Sequence, residues 1–286
     1  MDKVVVRQFE RTDTDFVYEM IAREEWNTRK EDVVRMFDFE PQGCFMAEVD
    51  GKRAGHVFAL SYGPLGWIGF LIIQSCYRRR GLGTMLMEQA ISYLVSEGVG
   101  TVKLDAVPNI AGLYRKLGFV DEYDSLRFAG INQEKQKANN SSVLQIDSSM
   151  ISGISEFDAK CFGAERTRVL CGLFSENPDL SFVSCSGSGV TGYITCRRAV
   201  TGYNLGPWVC DPGQTSIAEA LLLNCLKRME SNAKIFVGLP SPNKCAVGLL
   251  SKHGFLQYSK STRMRLGRQI PELPQRMFAI AGPMKG

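Results

Sequence analysis

One stretch of this chain has the residue types and spacing to grip a phosphate: Ile72-Ile73-Gln74-Ser75-Cys76-Tyr77-Arg78-Arg79-Arg80-Gly81-Leu82-Gly83-Thr84. An apolar run ends, a turn with two glycines follows, and a helical pattern begins. The first N–H groups of a helix have no partner inside it, and the helix dipole is positive there. Such a turn wraps a phosphate or pyrophosphate in main-chain donors. Glycine lets the backbone approach the anion without a Cβ in the way, and the three arginines add charge. The spacing is R-x-x-G-x-G, which is neither a Walker loop nor the G-x-G-x-x-G dinucleotide turn. On the turn alone, an ordinary strand–helix junction with three solvated arginines is the competing reading.

Hydrophobic periodicity supplies the elements that must position this turn. Residues 4–7 read as a short strand. Residues 13–22 read as an amphipathic helix with Phe16, Val17 and Met20 inward, and residues 30–37 as a second helix. Residues 44–49 and 54–61 alternate as strands, joined by the hairpin signal Asp50-Gly51. Residues 67–73 are nearly continuously apolar, as a buried strand is. Residues 83–97 form a helix that Gly98 stops, and residues 102–107 another strand. The order predicts an α/β fold, in the sense of an α+β mixed sheet.

Residues 132–142 are polar and amide-rich and read as a linker. They divide the chain into domains at 1–130 and 146–286, with 131–145 between them. The two parts rhyme. Leu104-Asp105-Ala106-Val107-Pro108, a helical stretch and Lys116-Leu117-Gly118-Phe119 are echoed by Val237-Gly238-Leu239-Pro240, a helical stretch and Lys252-His253-Gly254-Phe255. A strand with an arginine follows each, Arg127 and Arg263. That suggests a duplication.

Composition narrows the function classes. The chain has 286 residues, 44% hydrophobic and 22% charged, ordinary globular material. No apolar run reaches the ~18–20 residues of a membrane span, and no signal peptide is predicted. Nine scattered cysteines without a C-x-x-C pair argue against a disulfide framework and a zinc site; a reducing, cytoplasmic setting and no metal are expected. Residues 1–130 hold 16 Lys+Arg against 19 Asp+Glu, and the rest 18 against 11. The asymmetry is either uneven solvated surface or a basic face for an acidic partner. No basic run or aromatic-basic repeat supports nucleic-acid binding.

The turn and its flanks resemble motif A of the GNAT N-acetyltransferase superfamily: a strand, then Q/R-x-x-G-x-G/A, then a helix. Arg78, Gly81 and Gly83 hold the patterned positions. Downstream, residues 104–108 and Leu113-Tyr114-Arg115-Lys116-Leu117-Gly118-Phe119 resemble the family's second cofactor segment with its L-Y-x-x-x-G-F ending. Upstream, Glu25-Trp26-Asn27, Asp32 and the Asp50-Gly51 hairpin resemble a tandem-domain subgroup. The resemblance runs through residues 3–130 in order. It implies two tandem GNAT-like acyl-CoA N-acyltransferase domains, the first intact and the second degenerate.

What the resemblance implies for the site is specific. The strands at 67–73 and 102–107 splay apart. The pantetheine arm of acetyl-CoA, the cosubstrate, pairs with the backbone near Leu71, Ile72 and Ile73. The pyrophosphate sits on the amides of Arg79, Arg80, Gly81, Leu82, Gly83 and Thr84, beside Arg78. An acetyl group moves to a primary amine of a small molecule or peptide by direct attack on the thioester. Tyr114 holds the family's proton-donor position for the leaving thiolate; a tyrosine that merely packs is the alternative. The 67–73 strand has no acid, so a base from that strand is in doubt. Glu25 and Asp105 are the candidates, with a water chain as the alternative. Trp26 and Asn27 border the acceptor site, where Trp26 recognises an apolar or cationic amine or plugs the core edge.

The second half lacks the phosphate turn. In residues 205–215 Asp211 opposes an anion, Pro207 and Pro212 remove donors, and Leu250 stands at the tyrosine position. This half is expected to close the acceptor cleft, complete a core or mediate a homodimer. A reading of a different class is a non-catalytic CoA-binding sensor or scaffold. Neither a nucleic acid nor a membrane is an expected partner.

Overall fold

The computed structural model describes residues 2–133, 142–187, 189–211 and 213–286. The first half runs β1 (Val4–Gln8), α1 (Thr14–Arg23), α2 (Lys30–Phe39), β2 (Cys44–Val49), β3 (Lys52–Tyr62), β4 (Leu65–Ile73), α3 (Leu82–Ser96), β5 (Thr101–Ala106), α4 (Ala111–Lys116) and β6 (Val120–Ile131). The second runs β7 (Val143–Gln145), α5 (Ile151–Phe162), α6 (Thr167–Glu176), β8 (Ser181–Ser186), β9 (Gly189–Arg198), β10 (Tyr203–Cys210), α7 (Thr215–Arg228), β11 (Lys234–Pro240), α8 (Lys244–Lys252), β12 (Leu256–Gly267) and β13 (Met277–Ala279).

Local pattern explains most of these elements. Val17, Met20 and Ile21 recur at helical spacing and are fully buried, which seats α1; Phe16, expected inward, is only half buried. Asp50 and Gly51 both have positive φ, 49° and 74°, the geometry a two-residue hairpin requires. The two echoed segments are also alike in space. Phe119 donates its N–H to the carbonyl of Tyr114, and Phe255 donates to that of Leu250, each at 3.0 Å. Tyr114 and Leu250 are thus equivalent positions.

The polar stretch is less of a linker at its start than its composition suggests. Asn132 is buried and donates to the carbonyls of Leu226 in the last turn of α7 and of Met229 and Glu230 just beyond it, at 3.0–3.3 Å. It satisfies acceptors that a helix end leaves open. Residues 134–141 lie outside the described residues.

Strand pairing departs from a simple pair of domains. A single mixed sheet runs β1-β2-β3-β4-β5-β12-β6-β11-β10-β9-β8-β7, with β13 on β10. The closing strand of each half therefore lies beside the other half's fifth or equivalent strand: β12 pairs with β5, and β6 with β11. Periodicity marks a strand but not its partner, so this exchange was invisible in the sequence.

Ion pairs join the two halves. Arg263 pairs with Asp105, Arg265 with Glu122, Lys260 with Asp124, Arg197 with Asp32 and Arg168 with Glu40. The cation is on the second half in these five, whereas Arg35 and Lys103 of the first half pair with Glu176 and Glu272 of the second. A shared apolar core reinforces them, since Phe162, Val169, Leu173 and Ile270 pack with Phe58, Trp67 and Phe70. Fragments 1–133 and 142–286 expressed separately are therefore expected to show no cooperative thermal unfolding, and to regain it when co-expressed. A cooperative transition in the isolated 1–133 fragment would contradict this.

Candidate functional site

The strand–helix turn has the anatomy of an anion cradle. After β4 the chain makes a short 3-10 turn at Ser75–Tyr77, and α3 begins from Gly81, whose φ is +82°. Arg79 is also left-handed, at φ +64°. Among the described residues no backbone carbonyl accepts from the amides of Arg79, Arg80, Gly81, Leu82, Gly83 or Thr84. These six donors are gathered at the positive end of α3, as a phosphate requires. The arginines are divided in their duties. Arg78 donates through Nε to the Ile73 carbonyl (2.9 Å) and pairs with Glu24, while Arg80 pairs with Asp2 and lies 5.7 Å from the Tyr77 ring centroid. Arg79 has no ion-pair partner among the described residues.

The splay between the two strands is present. β4 and β5 pair in parallel only at Leu65, Gly66 and Trp67, opposite Thr101, Val102 and Lys103. Beyond Trp67 the ladder ends and a cleft of ≈ 690 Å³ opens, lined by Ile68, Phe70, Leu71, Val107, Ile110 and Tyr114 among others. Phe70 has φ +52°, and the register of β4 against β3 shifts there, so Phe70 and Leu71 bulge opposite β3. Bulges re-aim main-chain groups beside functional sites. An acyl-CoA fits what these residues offer: unpartnered amides for the diphosphate and a free strand edge for the pantetheine. Leu71 lines the cleft there, whereas Ile72 is buried and does not line it. Ile73 has its carbonyl already taken by Arg78.

The candidate side chains fare differently. Tyr114 is buried on α4 and lines the cleft, and its hydroxyl has no hydrogen-bond partner among the described residues. Burial pushes that phenol above its ordinary range. Asp105, offered as a base, is fully buried between two arginines: Arg263 Nε at 2.6 Å and Arg127 Nη2 at 2.9 Å, with Ser125 Oγ at 3.0 Å. Burial alone would raise it, but Arg263 and Arg127 hold it down to about 2. A carboxylate so satisfied is a poor base. Both arginines converge on it because the second half has Gly238 at the equivalent position. A Cβ there would lie 2.8 Å from Arg127 Nη1.

Glu25 is exposed on the cleft wall at φ +55°, and it has no ion-pair partner among the described residues. Trp26 stacks on Phe70 (6.3 Å, 25°), so it braces the bulge as well as lining the cleft. Asn27 is not free for substrate. Its side chain bonds both the N–H and the carbonyl of Thr201 (2.8 and 3.0 Å), and its own carbonyl accepts from Asn204 (3.1 Å). It ties the loop after α1 to the turn after β9.

The corresponding slot of the second half is filled by the chain itself. β10 and β11 pair in parallel at Tyr203, Asn204 and Leu205, and then β13 takes the place beside β10 at Trp208 and Val209. Ile280 donates its N–H to the carbonyl of Gly238 on β11 (2.8 Å). Asp211, at the position of the phosphate turn, pairs with Arg276 just before β13 (3.1 Å); Pro212 lies outside the described residues. The chain then crosses to the first half. Trp67 Nε1 donates to the Pro283 carbonyl and Tyr62 OH to that of Lys285, both at 3.0 Å. Ile280 to Lys285 thereby become a wall of the cleft beside β4, which sequence reasoning missed.

Gly81 is the most exposed test of the turn. Gly81→Val forces a β-branched residue into a left-handed conformation at a cost of about 1–3 kcal/mol, with no clash because nothing lies within 4 Å of its Cβ position. Affinity for CoA should fall by about 10-fold or more as the donors rotate away, while the fold, read by thermal unfolding, survives. Unchanged CoA binding by calorimetry would sink the turn assignment.

Comparison with known proteins agrees with this geometry. A family model described as "Acetyltransferase (GNAT) family" matches residues 9–119, and one described as "Acetyltransferase (GNAT) domain" matches residues 154–279. A curated relative, the holothin acyltransferase of a Pseudoalteromonas strain, is 27% identical over 266 residues, 93% of this chain and 88% of that protein. A crystal structure of a Pyrococcus horikoshii protein assigned as an acetyltransferase superposes with TM-score 0.84 at 25% identity, covering 99% of this chain and 96% of that one. A tandem GNAT protein from the clavulanic acid biosynthesis pathway shares the fold, with TM-score 0.65 at 13% identity over 93% of this chain and 98% of that one. Among the described residues no helix is long and apolar enough to cross a membrane, and no group of three or more His, Cys, Asp or Glu could hold a metal ion.

Proposed function

Because the chain belongs to the GNAT acetyltransferase superfamily and carries two of its domains in tandem, we propose that the first half is an acetyl-CoA-dependent N-acetyltransferase. It moves an acetyl group to a primary amine by direct attack on the thioester. The observations that carry this reading are the six amides without a backbone partner at the start of α3, the gap beyond Trp67, and Tyr114 lining that gap.

Each residue has a task that its surroundings support. The amides from Arg79 to Thr84 hold the diphosphate. The bulged main chain at Phe70 and Leu71 offers an N–H to the thioester oxygen as charge develops on it. Tyr114 donates its proton to the departing sulfur, for which its place on the cleft wall and its hydroxyl without a protein partner suit it. Glu25 is the cleft carboxylate left without an ion-pair partner, so it relays the proton from the incoming amine, directly or through water. Asp105 and Asn27 hold the walls in place.

Thiol release from acetyl-CoA in the presence of a panel of amines tests this. The panel includes the acceptor named for the holothin acyltransferase, since that relative spans nearly the whole chain. Amine-dependent release is expected. Tight CoA binding without release for any amine would favour the sensor reading instead.

A further inference from the structure

The cleft floor holds two cations that the protein does not fully neutralise. Lys285 is 2% exposed and lines the cleft, and among the described residues its ammonium makes no hydrogen bond or ion pair. Arg197 is 8% exposed; its Nε has no hydrogen-bond partner and lies 3.5 Å from Asp32. The charged groups acting on them come from α2, α6 and β9. Asp32 is already bound to Arg35 at 2.6 Å, and Glu176 also bonds Arg35, through Nε, at 2.6 Å. Three cations thus share two carboxylates, and Arg35 makes the closest contacts with both. Burial of charge without a counter-charge is costly. Burial and the Arg197 charge push Lys285 well below its ordinary range, so that its charged form is favoured only with an anion beside it.

Both heads bracket one spot that no side chain fills. A Cβ added at Gly282 would lie 3.1 Å from Arg197 Nη2 and 3.8 Å from Lys285 Nζ. The spot lies in the same cleft as Gly69, Phe70 and Trp26. Met284, the residue before Lys285, lies against Gly69, whose Cβ position is 2.7 Å from Met284 Cα. Gly69 immediately precedes the bulge at Phe70, and the Trp26–Phe70 stack forms the apolar surface nearby.

The geometry points to an acceptor that carries a carboxylate as well as its amine: Lys285 and Arg197 hold the carboxylate beside Gly282, and an apolar body rests on Trp26 and Phe70. An α-amino acid has this chemistry, and a polyamine does not. A buried, hydrogen-bonded ion pair discriminates strongly against a neutral analogue. The inference rests on the acyltransferase reading.

Calorimetry on the full chain with CoA present tests it with two product-like probes, N-acetyl-L-phenylalanine and N-acetyl-L-phenylalaninamide. The acid is expected to bind about 30-fold or more tightly than the amide. Lys285→Met should abolish that preference and leave the amide unaffected. The substitution removes an unpartnered buried cation, so the melting temperature should not fall; should the variant fail to fold, the comparison of acid and amide on the unsubstituted protein decides alone. Equal binding of the two probes, or binding of neither, overturns the inference. So does a loss of affinity for CoA itself in Lys285→Met, which would assign the cations to the donor. Thiol release separates the two levels: transfer to amines without preference for acids sinks the carboxylate site only, and no transfer to any amine sinks the acyltransferase reading.

Discussion

Replacing Tyr114 by phenylalanine is expected to lower kcat by about 100-fold or more, within the range that a positioned proton donor contributes, and to leave CoA affinity and thermal stability unchanged. The hydroxyl has no partner among the described residues, so its loss strands no buried group. The ring stays in its T-shaped contact with Phe119 at 6.0 Å. What disappears is the proton for the leaving thiolate. Steady-state thiol release gives kcat, and calorimetry gives the CoA affinity. A variant with undiminished kcat would mean that the tyrosine only packs. The equivalent position of the second half, where β13 fills the slot, holds Leu250, which has no hydroxyl.

Substituting Asp105 by alanine should have the opposite profile, a loss of stability of about 3–5 kcal/mol, because it leaves the buried Arg263 without its carboxylate. Arg263 is 1% exposed and lies 4.4 Å from the Trp67 ring centroid, with no route to water. Denaturant unfolding reads the change. A catalytic base would instead lose turnover with stability intact. The same pairing has a pH consequence. Asp105 and Asp32 both titrate at about 2 in the folded chain, below the ordinary 3.8. For Asp32, burial would raise the value, but Arg197, Lys285 and Arg35 pull it down. Their stabilisation is present above about pH 4 and is lost as pH falls from there through about 2, at about 2 kcal/mol each. Asp105→Ala should therefore show a shallower loss of stability across that window than the unsubstituted chain.

What the sequence revealed was local. The phosphate turn is written in consecutive residues, and Tyr114 follows from a seven-residue pattern that its helix and the Gly118 turn reproduce in space. The strands β4 and β5 were legible as two apolar segments flanking that turn; that they splay was implied only by the family resemblance. What escaped was distant in the chain. Asp105 looked like a free acid because Arg263 lies 158 residues away, on a strand whose neighbours no periodicity reveals. Asn27 looked like a substrate contact for the same reason, its partner being 174 residues on. The segment from β13 to Lys285 carries no catalytic motif. Its role came only from pairing, first in the slot of the second half and then against β4.

One acyl-CoA is expected, at the α3 turn and the β4–β5 gap, because the second half's slot holds β13 instead. Hydrogen–deuterium exchange with and without CoA tests it most directly. The unpartnered amides from Arg79 to Thr84 exchange fast in the free protein and should be protected by CoA, together with peptides spanning Phe70 to Ile73, while residues 205–211 and 277–280 stay as they were. Protection confined to the second half, or none between residues 79 and 84, would contradict the account.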